Sequence, residues 1–212
     1  LDAGNSIMMF PEGTRSEDGR LALVYNGMIY NWRELRGELE AAGHRFASRC
    51  DTEVIIHGWE AWGEGLLLRL NGHFAFALWD ALEQRLYLAR DRFGTKPLYY
   101  ANVGGLWLFA SEIKALLTHP ALSFDVDCDA LCEYFTFQNL FRFHTLFKGV
   151  SLLPPANLLT VEAASARSER RSWWDFDFSH TDPLISEQEA TGELQRLVVQ
   201  AVNRQLDADV PV

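Results

Sequence analysis

Apolar and polar positions change period several times along the chain. LALVYNGMIY (21–30) is dense, apolar and β-prone, and the Asn26-Gly27 pair in its middle predicts a hairpin turn. From Asn31 the period becomes helical. Trp32, Leu35 and Leu39 share a face, Asn31 stands as N-cap with Glu34 as its capping-box partner, and Gly43 supplies the stop. Asp51 is predicted as a second N-cap, ahead of a helix whose inner face carries Val54, Ile55, Trp59 and Trp62.

The period then shortens to that of strands. HFAFALWD, RLYLARD, KPLYYA and LWLFAS are predicted strands, with Gly104-Gly105 as the turn before the last. Glu112 to Leu117 and Asp127 to Phe135 read as short helices, and LFKGVSLL and NLLTV as the last strands, with Pro154-Pro155 between them. Residues 163–185, rich in Ser, Arg and Asp, read as a linker. Ser186 to Leu206 regains helical spacing through Leu194, Leu197, Val198, Ala201 and Val202. Short antiparallel strands flanked by helices predict an α+β fold.

Composition narrows the function classes. Of 212 residues, 48% are hydrophobic and 23% charged, as in an ordinary globular protein. The formal net charge of −10 disfavours a phosphate backbone as partner, so no nucleic acid is expected. The one basic cluster, Arg167, Arg170 and Arg171, reads as a solvated loop. No apolar run approaches the ~20 residues of a membrane span, and no signal peptide is visible at the start. The cysteines Cys50, Cys128 and Cys132 suggest a reducing, cytoplasmic compartment. Cys128 and Cys132 share one side of a predicted helix, with no further ligands spaced for a metal.

A series of motifs in a fixed order runs from Arg15 to Val212: RSEDGRLALVYNGMIYNWRELR, GHRFASRCDTEV, RLNGHFAFALWD, LARDRFGTKPLYYA, LFASEIKAL, FQNLFRFHTLFKGVSLLPP, WWDF and DADVPV. Together they resemble the glutamine-hydrolysing asparagine synthases. The resemblance implies an N-terminal-nucleophile amidotransferase domain, built as two antiparallel sheets sandwiched between helices. It places a non-family segment at 1–20, the amidotransferase domain at 21–162, and the first helix of an ATP-dependent synthetase domain within 186–212. ATP and Mg2+ would belong to that second domain, with no cofactor in this chain. Glutamine and aspartate are the implied substrates, and a homodimer is one possible assembly.

In that family a cysteine at the mature N-terminus attacks the side-chain amide of glutamine. Its own α-amino group serves as base, with an ordinary pKa of about 7.7–8.0 that suits the task. By the same resemblance, Asn26 and Gly27 match the oxyanion-hole pair, one offering a side-chain amide and the other a backbone N–H. Asp51, in DTEV, matches the acid that holds the α-amino group of glutamine. Met28 departs from the family, which carries Glu after Asn-Gly, and so removes a charge and an acceptor beside the substrate. Read locally, Asn-Gly is sufficiently explained by a turn and Asp51 by a helix cap. Arg90, Asp91, Arg92 and Lys96 read as a turn with fixed ion pairs behind the sheet. Ser111 and Glu112 read as holding a loop near the domain junction, and none of these six is assigned to catalysis.

The first residues do not follow the family. The resemblance implies an upstream segment that begins with the nucleophilic cysteine and includes an arginine for the glutamine carboxylate. Without it the chain alone is expected to be inactive and to expose sheet edges. An amidotransferase-like module that binds without hydrolysis is the alternative. Residues 3–20, containing FPEGTRS, resemble instead the phosphate-binding motif of glycerol-phosphate acyltransferases. That family's partner motif, His with Asp four residues on, occurs at none of His44, His57, His73, His119, His144 and His180. A junction is therefore expected between Arg15 and Arg20.

Overall fold

A computed structural model describes residues 14–123, 125–179 and 185–206. In chain order the elements are β1 (Thr14–Arg15), β2 (Leu21–Ile29), α1 (Trp32–Ala41), α2 (Thr52–Trp62), a 3₁₀ turn (Gly63–Gly65) and α3 (Leu66–Arg69). Next come β3 (Gly72–Asp80), β4 (Arg85–Arg90), β5 (Tyr99–Val103), β6 (Leu106–Ala110), α4 (Ile113–Leu116) and α5 (Cys128–Phe137). The last are β7 (Val150–Leu152), β8 (Asn157–Glu162), β9 (Ser168–Ser172) and α6 (Glu187–Gln205). Most of the FPEGTRS stretch, and the terminal DADVPV, lie outside the described residues.

The strands form two antiparallel sheets. One has six strands in the order β1-β2-β3-β4-β8-β9, the other three in the order β6-β5-β7. Three apolar clusters stack the layers. Leu35, Leu39, Val54, Ile55 and Trp59 of α1 and α2 pack with Leu23, Phe74 and Phe76 on one face of the large sheet. Ala75, Ala77, Leu86 and Leu88 on its other face meet Trp107 and Phe109 of the small sheet. Beyond that sheet, Leu108 and Val150 pack with Leu116 of α4. The order helices, sheet, sheet, helix is the α+β sandwich that the resemblance implies. The alternation of strand residues makes it possible, because each strand of the large sheet feeds two cores.

Several local expectations give way to tertiary structure. Asn26-Gly27 does not turn the chain: β2 runs straight through it, with Asn26 opposite Ala75 and Gly27 opposite Phe74 on β3. The hairpin is overridden because the nine residues of β2 find a partner of equal length, and a turn would break that ladder. Gly27 is required for another reason. A Cβ there would collide with the carbonyl oxygen of His73 and lie 2.8 Å from Phe74 Cα. The close strand approach in place of a turn thus explains the residue.

Asn31 stands at the start of α1 but makes no side-chain cap. Its amide instead bridges to Arg69 O at 3.0 Å and to Asn71 N at 2.9 Å, tying α1 to the end of α3. Residues 163–185, read as a linker, begin with the edge strand β9. Arg170 and Arg171 are exposed strand residues opposite Leu159 and Leu158, not a solvated loop. Their side chains face solvent while the backbone pairs with β8, which composition alone does not reveal. Thr14 and Arg15 pair with Leu23 and Ala22, so the edge of the large sheet already runs through the expected junction. Helix α6 opens with a full capping box, Ser186 and Glu189. Among the described residues no helix is long and apolar enough to cross a membrane.

Candidate functional site

Backbone direction along β2 defines the site. Phe74 N donates to the Asp91 carboxylate and Phe74 O accepts from Asp91 N, so both polar groups of Phe74 face β4. In an antiparallel ladder, paired residues alternate between bonded and non-bonded positions. Gly27, opposite Phe74, therefore turns its own N–H and C=O away from β3. Tyr25 and Ile29 do the same, two residues on either side. On that side β1 covers β2 only at Ala22 and Leu23, so among the described residues 24–29 no strand pairs with the outer edge.

Asp51 closes one end of this open edge. It occupies the N-cap position of α2 but makes no cap hydrogen bond. Its Oδ2 accepts from the Ile29 N–H at 2.9 Å and from the Tyr25 hydroxyl at 2.8 Å. The strand amide wins because nothing else in the sheet can satisfy it. Burial, with the neighbouring Asp51 charge, pushes the Tyr25 hydroxyl far above its ordinary value, so Tyr25 stays a donor. Oδ1 faces the Cys50 thiol at 3.5 Å and keeps acceptor capacity.

The side chain of Asn26 points the other way, between the sheets. It lines a cavity of about 610 Å³ together with Val24, Ala75, Ala77, Leu98, Phe109, Ser111 and Lys114. Its Nδ2 donates to Ser111 Oγ at 3.2 Å, which leaves a second N–H on the same nitrogen. Met28 is on the same strand and 43% exposed. The structure thus brings Asn26, Gly27, Met28 and Asp51 onto or beside one stretch of β2. Only Asn26 lines the cavity, and Asp51 reaches the strand from the helix side. Ser111, read as a loop support, is the partner of Asn26. Tyr25, not singled out from the sequence, is the partner of Asp51. The alternation that puts Tyr25 on the helix side of β2 was the available signal.

The charged turn after β4 has a different character from the ion pairs expected of it. Asp91 is 1% exposed and accepts from the backbone amides of Phe74, Phe93, Thr95 and Lys96. Arg90 donates to the carbonyls of Lys96, Leu153 and Gly94, and Arg92 to those of Leu70 and Leu68. The charges hold backbone rather than one another, because the turn leaves its own amides and carbonyls unpaired. Burial pulls both guanidinium pKa values below their ordinary level.

A family profile for a glutamine amidotransferase domain matches residues 12–174. The chain belongs to that glutamine amidotransferase family. An asparagine synthetase [glutamine-hydrolyzing] of Bacillus subtilis is 41% identical over 192 residues, covering 90% of this chain and 30% of the relative. A putative asparagine synthetase [glutamine-hydrolyzing] of Mycobacterium tuberculosis is 40% identical over 167 residues, covering 77% and 26%. Amidase chyE of Penicillium rubens is 33% identical over 199 residues, covering 92% and 29%. The chain therefore spans about 30% of the length of the curated relatives it matches. Among solved structures, a glutamine phosphoribosylpyrophosphate amidotransferase from B. subtilis aligns at TM-score 0.48 and 24% identity, covering 76% of this chain and 31% of that one.

Proposed function

We propose that this chain forms the glutamine-binding and oxyanion-stabilising part of the glutaminase in an asparagine-synthase-type enzyme. It would supply ammonia for the ATP-dependent amidation of aspartate. The observation that carries this reading is the edge of β2 left uncovered among the described residues, where the Gly27 N–H points outward two residues from the Ile29 amide that Asp51 holds, with Asn26 next along the strand. A developing oxyanion would be met by the Gly27 N–H and the free N–H of Asn26. The α-ammonium of glutamine would be held by Asp51 Oδ1, the oxygen that β2 leaves available.

The steps follow from these roles. A thiolate attacks the amide carbon, a thioester forms, and ammonia leaves. Water then releases glutamate. None of Cys50, Cys128 and Cys132 carries a free α-amino group, so in this reading the attacking thiol is not one of them. Helix α6 is read as the first helix of the synthetase part, to which ATP and Mg2+ belong. A cytoplasmic enzyme, acting as a homodimer, completes the proposal.

The test compares nitrogen sources in the whole enzyme. Asn26→Ala should lower glutamine-dependent asparagine formation about 10²–10³-fold, the usual cost of one oxyanion donor, and leave ammonia-dependent formation unchanged. Equal losses with both sources would overturn the assignment. The purified 212-residue chain should release no glutamate from glutamine. Met28, exposed where the family carries an acid, favours a second reading, a module that binds glutamine without hydrolysing it. Saturable glutamine binding by the whole protein with no turnover would select that reading.

A further inference from the structure

We propose that His44, His57 and Glu60 form a binding site for a divalent transition metal such as zinc, on the helix side of the large sheet. The site is independent of the amidotransferase reading, because α1 and α2 pack on the face opposite to the one that lines the Asn26 cavity. Two imidazoles and one carboxylate are a donor set that zinc accepts, with water completing the coordination. Both Nδ1 atoms converge on one oxygen: His57 Nδ1 lies 2.9 Å and His44 Nδ1 3.5 Å from Glu60 Oε2. The three donors all fall within 4.8 Å of one another. Zinc bonds of ~2.0–2.1 Å place tetrahedral donors ~3.3 Å apart, so small side-chain rotations suffice.

The backbone fixes these groups before any ion arrives. His57 and Glu60 are one turn apart on α2. His44 is set by the C-terminal motif of α1, in which His44 N donates to Leu39 O and Gly43 N to Glu40 O, each at 3.0 Å, with Gly43 at φ +98°. Phe46 packs edge-on against the His57 ring at 4.6 Å and restrains it. The donors open into a cavity of about 430 Å³ that leaves room for water ligands. Glu17 and Asp18 line it with Glu60, against the single guanidinium of Arg45, so the local charge favours a cation. A bound ion would clasp the end of α1 to α2.

Calorimetric titration of the metal-free chain with Zn2+ tests the site, with Co2+ spectroscopy as a second readout. The expected result is one saturable equivalent whose affinity falls at least about tenfold in each of His44→Gln, His57→Gln and Glu60→Gln. The Co2+ complex should show nitrogen and oxygen ligation without a thiolate charge-transfer band. Circular dichroism of the variants confirms that they fold, which is expected at half-buried and exposed positions. Absence of saturable uptake would overturn the proposal. So would uptake that survives in His44→Gln/His57→Gln but disappears in Cys128→Ser/Cys132→Ser, since the exposed thiols of α5 would then hold the ion.

Discussion

The turn after β4 and the outer edge of β2 use the same chemistry to opposite ends. At the turn, Asp91 is enclosed and every oxygen is occupied by backbone amides, while Arg90 and Arg92 consume carbonyls. At the edge, Asp51 is half-buried, holds one strand amide and one hydroxyl, and keeps an oxygen nearly free. A closed shell of hydrogen bonds stabilises the fold and leaves nothing to offer a ligand. An open shell beside an outward N–H stabilises less and can bind. Charge alone does not separate the two. What separates them is whether the neighbouring backbone has exhausted the acceptor.

The largest effect expected from this contrast is at the turn. Asp91→Ala strands the amides of Phe74, Phe93, Thr95 and Lys96. At about 1–3 kcal/mol for each unsatisfied donor, the loss should reach about 4 kcal/mol or more in denaturant unfolding. A milder loss than that of Asp51→Ala would break the comparison.

Next comes Arg20→Ala, which removes the 2.7 Å ion pair to Asp80, a residue 1% exposed, and should cost about 1.5–3 kcal/mol. Burial acts to raise the Asp80 carboxyl, but Arg20 with the Leu82 and Glu83 amides outweighs it and holds the carboxyl below its ordinary 3.8. The folded state thus prefers the carboxylate. Its contribution is complete above the ordinary value and is lost as pH falls through the depressed one. Unfolding free energies measured from neutral pH into acid should show that decline in the native chain and a flatter one in Arg20→Ala.

Asp51→Ala should cost only about 2 kcal/mol in the same assay, because it strands two donors, the Ile29 N–H and the Tyr25 hydroxyl, against four at Asp91. Its effect on glutamine binding, read by calorimetry on the whole enzyme, should exceed its effect on stability. The smallest change is expected for Met28→Glu: its exposure keeps the stability shift within about 0.5 kcal/mol. Tighter glutamine binding in that variant would mark Met28 as part of the substrate pocket.

Much of the architecture was legible because strand and helix periods are local. The helices at Thr52–Trp62, Cys128–Phe137 and Glu187–Gln205 and the strands from Gly72 to Ala110 follow their apolar spacing. Failures occurred where a distant partner decided the outcome. Asn26-Gly27 carries a turn signature, yet a nine-residue neighbour draws it straight. Ser-Glu-Arg-Arg-Ser looks like linker because its pairing with β8 is made by the backbone while its side chains are exposed. Asn31 and Asp51 sit where caps belong, but their side chains satisfy groups 38 and 22 residues away. At the candidate site, Asn26, Gly27 and Asp51 were singled out through motif resemblance, and the structure shows their placement along and beside β2. The role of Ser111 required the sheets to be stacked, and that of Tyr25 required the start of α2 to reach β2.

The two rims of the large sheet differ in receptivity. Strand β9 ends it with the exposed Glu169, Arg170 and Arg171, and Arg171 is paired with Glu64. Such a charged rim discourages a further strand, whereas at the β2 rim no strand among the described residues pairs beyond Leu23, and the Gly27 N–H faces outward. Among the described residues the sheet is thus lopsided: a strand from elsewhere would find backbone partners at one margin and repelling side chains at the other.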